Sequence, residues 1–142
     1  FAMPALRTMS AAQYREFRRI LEGLIRADEE TSRFEFSLWQ MLTRFLDRAF
    51  ALRPVPEVRY SGAGRLMGPA GVLLGMLAWE GHRSGGAAEK AFAAGMREWD
   101  PAAPAAMPDR KLCSQANVAA ALDALEEAAP NLKERFVRAA TA

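Results

Sequence analysis

The stretch DEETSRFE, residues 28 to 35, places four carboxylates within eight positions, between two strongly apolar helical patterns. Clustered hard oxygens suit Ca²⁺ or Mg²⁺. An EF-hand loop counted from Asp28 gives oxygen ligands at Asp28, Glu30 and Ser32. It then fails, because Arg33 stands where a glycine must turn the chain and Trp39 stands where a bidentate glutamate must close the site. A looser site built from Asp28, Glu30 and Glu35 remains open. So does a structural reading, in which Ser32 and Glu35 form a capping box and the preceding acids favour a helix N-terminus.

Other chemistry is sparse. A zinc protease of the H-E-x-x-H type needs two histidines one helical turn apart and a glutamate base. This chain has one histidine, His82, and cannot form that centre. His82 falls at the end of an apolar helical pattern, where an imidazolium suits the helix dipole. Cys113, the single cysteine, excludes an internal disulfide and fits a reducing compartment. It lies just before a helix, a position that stabilises a thiolate, but no base accompanies it in sequence. An inert, buried or half-buried thiol is expected. The segment GAGRLMG, residues 62 to 68, matches neither glycine-rich phosphate motif and reads as a flexible helix entry.

These residues must be positioned by helices. In SAAQYREFRRILEGLIRAD, Ser10 and Gln13 form a capping box, and Tyr14, Phe17, Ile20, Leu21, Leu24 and Ile25 share one face. The opposite side carries Arg15, Arg18, Arg19, Glu22 and Arg26, a solvated face or a contact for an acidic partner or lipid headgroups. A second helix from Ser32 carries Phe34, Leu38, Met41, Leu42, Phe45 and Leu46 at three- and four-residue intervals, with Phe36 and Trp39 widening the apolar surface. The short connection between them implies an antiparallel hairpin. Its apolar faces predict a core containing Phe17, Leu21, Leu24, Leu38, Leu42 and Phe45.

Two prolines and two glycines in ALRPVPEVRYSGAG then interrupt the helical pattern. A third helix is expected from near Pro69 through Trp79, and a fourth over AAEKAFAAGMREW after Gly85 and Gly86. The Ala/Pro stretch 100–111 is a loop. Ser114 should cap a fifth helix carrying Val118, Ala121, Leu122 and Leu125, and Pro130 should open a sixth with Leu132, Phe136 and Val137 inward. No alternating run supports a sheet. The expectation is an all-α fold, with about six helices in one compact bundle over residues 1 to 142.

The balance of 19 Lys and Arg against 17 Asp and Glu gives a formal charge of +2, with no dense basic stripe. Nucleic acid is therefore not an expected partner. No apolar run reaches the roughly 18 to 20 residues that span a bilayer. The start FAMPALRTMS lacks the form of a signal peptide and begins without methionine, and the end APNLKERFVRAATA carries no helix stop. Both ends lead us to expect a piece of a larger protein.

The stretch LRTMSAAQYREFRRILEGLIRADEETSRFEFSLWQMLTRFLDRAF resembles the region that follows the membrane segments in bacterial HtpX-like, membrane-bound zinc metallopeptidases. AFAAGMREW and LCSQANVAAALDALEEAAPNLKERFVRAA continue the likeness, so that it covers most of the chain. The resemblance implies a non-catalytic region on the cytoplasmic face of the bacterial inner membrane, with the protease centre and its zinc upstream. It implies the parent protease domain, or another protein, as partner, and no cofactor of its own.

The helix–AD–turn–E–helix element is also similar to the TerB, or tellurite-resistance, helical domain. That likeness implies a TerB-like bundle with Asp28 and Glu35 as the acidic pair of a metal-associated motif. Glu29 stands where a glycine is usual and Thr31 where an aliphatic residue is usual. A TerB-like domain pairs two such motifs; one is present here, and the second is expected after a helix like the one ending at Ala142.

Overall fold

The computed structural model describes residues 3–27, 33–104 and 106–142. Among the described residues the chain is all-α. Six helices of twelve residues or more follow a single N-terminal turn, α1 (Met3–Leu6). They are α2 (Ala11–Ala27), α3 (Arg33–Ala49), α4 (Met67–Gly81), α5 (Gly85–Trp99), α6 (Gln115–Glu126) and α7 (Pro130–Thr141). Among the described residues, no helix is long and apolar enough to cross a membrane. Contacts divide the chain into two compact units, Phe1–Val55 and Pro56–Ala142.

In the first unit, α2 begins at the capping box expected from sequence. The Ser10 N–H donates to Gln13 Oε1 at 2.9 Å, and the Gln13 N–H donates back to Ser10 Oγ at 3.2 Å. Two orphan donors of the first turn are thus satisfied reciprocally. The first turns of α2 meet the end of α3. The Tyr14 hydroxyl reaches Asp47 at 2.6 Å, and the Tyr14 ring stacks on Phe50 with centroids 4.5 Å apart. With so short a connection between Ala27 and Arg33, this pairing makes α2 and α3 antiparallel neighbours. Ser32, the expected cap of α3, lies outside the described residues.

α3 ends in a left-handed turn at Ala51, whose φ is 55°. The Leu52 and Arg53 N–H groups fold back onto the Asp47 carbonyl at 2.7 and 3.2 Å, satisfying an otherwise orphaned helix-end acceptor.

The expected hairpin core is corrected in part. Tyr14 and Leu46 are fully buried, but Leu24 is 63% exposed and Phe45 45% exposed. Phe17, Leu21 and Leu42 are half-buried, and the Leu38 side chain lies outside the described set. Helical spacing specifies a shared face, but it does not specify which part of that face finds a neighbour.

The larger continuous core belongs to the second unit. α4 packs against α5, α6 and α7, and α5 packs against α7. Leu66, Leu73, Leu74, Met76, Phe92, Met96, Trp99, Val118, Leu132 and Phe136 close into one cluster. Two glycines let the backbone approach closely. A Cβ on Gly75 would meet Pro108 Cγ at 2.5 Å, and one on Gly95 would meet the Ala139 carbonyl oxygen at 2.7 Å.

Entry to α4 is earlier than expected. Residues Ala63–Leu66 form a 3₁₀ turn, and the α-helix starts at Met67 rather than near Pro69. Gly85 and Gly86 belong to α5 instead of interrupting before it, because Ser84 caps that helix by accepting the Ala87 N–H at 3.3 Å. Ser114 caps α6 through the Asn117 N–H at 3.3 Å, and Pro130 opens α7, both as read from sequence. Val137 is 62% exposed instead of inward, and Ala139 takes the buried position beside Phe136. A short extended segment is tied across the unit: Arg59 and Tyr60 donate to the Glu127 carbonyl, and Ala129 donates to that of Tyr60.

Candidate functional site

Of the acidic residues singled out in sequence, Asp28 and Glu30 lie outside the described residues. Glu35 is the third residue of α3 and is exposed. A carboxylate there interacts favourably with the helix dipole, and the position is the one a capping-box glutamate occupies. Its location agrees with both readings of the turn, since a capping acid and an exposed metal ligand occupy the same place. Among the described residues, no three His, Cys, Asp or Glu side chains are grouped to hold a metal ion.

The first unit instead contains a buried polar cluster that the apolar pattern did not announce. Asp47 is 5% exposed, and its two carboxylate oxygens are divided between partners. Oδ1 accepts the Tyr14 hydroxyl at 2.6 Å, while Oδ2 faces Arg18 Nη1 at 3.3 Å. A buried carboxylate is tolerated when paired and hydrogen-bonded in this way. Burial, the hydrogen bond to Asp47 and that carboxylate's charge push the Tyr14 hydroxyl far above its usual range, with the Arg18 charge opposing them in part. Tyr14 is thus held neutral as a hydrogen-bond donor. It is no acid or base near neutral pH.

Beside this cluster, Arg44 is also buried and donates along its own helix to the Gln40 side chain and carbonyl. The Thr43 hydroxyl returns to the Trp39 carbonyl at 2.8 Å. Ser37 is buried on the same helix. Four apolar side chains of the hairpin show the reverse. Ile20 is 51% and Leu24 63% exposed on α2, and Met41 is 43% and Phe45 45% exposed on α3. Arg7 lies over the Phe45 ring, its guanidinium carbon 5.8 Å from the centroid. No sequence signal marked this arrangement: Thr43, Arg44 and Asp47 read as an outer polar face until their burial is known.

His82 and Cys113 both fall in the second unit. His82 ends α4, and its Nδ1 lies 3.2 Å from the Ala78 carbonyl, which takes an N–H donor there. It lines a cavity of about 280 Å³ whose walls include Leu74, Leu77, Ala91 and Ala139. Thr141 and Ala142 also line it, and the Thr141 hydroxyl lies 3.1 and 3.0 Å from the Val137 and Arg138 carbonyls of its own helix. Cys113 is fully buried, with its sulfur facing the close approach at Gly75. The buried position expected for this thiol from sequence is the one the fold gives it.

Two of the α2 arginines, Arg18 and Arg19, are paired with carboxylates. Arg19 makes paired contacts with Glu16 at 2.6 and 3.0 Å, and Arg18 reaches both Asp47 and Glu22. In the second unit, Arg110 sits over the Trp79 ring and reaches Glu80 at 3.6 Å, while the Trp79 N–H donates to the Pro108 carbonyl. This clasp fastens the Ala/Pro loop to the end of α4. No protein-family model, curated protein or solved structure matches the chain.

Proposed function

We propose that this chain is a non-catalytic regulatory or interaction domain of a membrane-bound zinc metallopeptidase, working at the cytoplasmic face of the bacterial inner membrane. The observation that carries the interaction role is the polarity of the hairpin. α3 buries Ser37, Thr43, Arg44 and Asp47, while Met41 and Phe45 on α3 and Ile20 and Leu24 on α2 are exposed. Exposed apolar side chains one helical turn apart on each helix supply apolar surface of the kind a partner protein can cover. Attachment to a metallopeptidase rests on the sequence likeness of residues 6–50 and of the later helices.

The test is immunoprecipitation of the whole metallopeptidase beside two altered forms, one lacking residues 1–142 and one carrying Leu24→Ser with Phe45→Ser. Proteolytic activity is measured on all three. The proposal expects a changed set of partners or a changed rate in both altered forms, with helical circular dichroism retained in the double variant. Unchanged partners together with unchanged activity would sink it.

A second reading, a TerB-like module that senses Ca²⁺ or Mg²⁺ through Asp28, Glu30 and Glu35, is favoured by the density of carboxylates in that turn. Calorimetric titration with Ca²⁺, Mg²⁺ and Zn²⁺ separates it from the first. Micromolar affinity would move the role of this turn from helix corner to metal site.

A further inference from the structure

We draw no further inference here: the strongest candidate, the exposed apolar stripe of Ile20 and Leu24 on α2 with Met41 and Phe45 on α3, already carries the proposed interaction role, and nothing in the structure shows what covers it.

Discussion

Replacing Tyr14 by phenylalanine removes one oxygen from a buried polar contact of the hairpin. The ring keeps its place, because its stacking on Phe50 at 4.5 Å and its contact with Phe17 do not involve the hydroxyl. What is lost is a 2.6 Å hydrogen bond to the Asp47 carboxylate. Hydrogen bonds to charged groups contribute about 1.5 to 3 kcal/mol, and the acceptor left behind stays buried. Arg18 still faces the other carboxylate oxygen at 3.3 Å, which limits the damage. We therefore expect a loss of about 2 kcal/mol, within the range of that same hydrogen-bond scale.

Urea unfolding followed by circular dichroism measures the loss, and a double-mutant cycle with Asp47→Ala assigns it to the pair. If Tyr14→Phe costs as much with Asp47→Ala as without it, the hydrogen bond is not the cause and the argument fails. The pH dependence supplies an independent check. The Tyr14 pKa is raised in the folded state from an unfolded value of about 10. Its contribution is therefore complete below pH 10 and is lost as the pH rises above that value. The wild type should lose stability in that alkaline range with a slope that Tyr14→Phe lacks.

Two glycine substitutions should act in opposite directions. Ala in place of Gly gains about 1 kcal/mol of helix propensity. Gly71→Ala, where a Cβ meets nothing within 4 Å, should gain stability, whereas Gly95→Ala must displace the Ala139 carbonyl and should lose up to about 2 kcal/mol net; thermal melts that rank the two variants the other way would contradict the packing of α5 on α7. Leu46→Ala removes a fully buried side chain and should cost about 2 to 5 kcal/mol in chemical denaturation, with a loss below about 0.5 kcal/mol on that scale showing a misassigned face. Ser114→Ala should cost about 0.5 to 2 kcal/mol by the same measurement, since its hydroxyl oxygen accepts the Asn117 N–H at the start of α6. Glu35→Gln should leave stability near native, because glutamine also completes a capping box; loss of a measured cation response in that variant would favour the metal reading.

Helix positions were legible in sequence wherever the signal is local. The Ser10–Gln13 box, the Ser114 cap and the Pro130 start each depend on groups within a few residues of one another, and each is formed as read. The absence of a histidine pair and the lone thiol likewise followed from residue identity alone. Boundaries slipped at glycines. Gly85 and Gly86 have weak preferences of their own, and the Ser84 cap drew both into α5.

Tertiary structure alone decided which apolar faces are covered. α2 and α3 show the clearest helical periodicity, yet they leave Ile20, Leu24, Met41 and Phe45 exposed. α4, apolar on nearly every side and thus without a readable face, lies at the centre of the second unit against α5, α6 and α7. The Tyr14–Asp47 bond joins residues 33 positions apart, so no local pattern announced it. Periodicity records only that a helix has an apolar side. Burial depends on which other helices arrive there, through contacts between residues far apart in the chain.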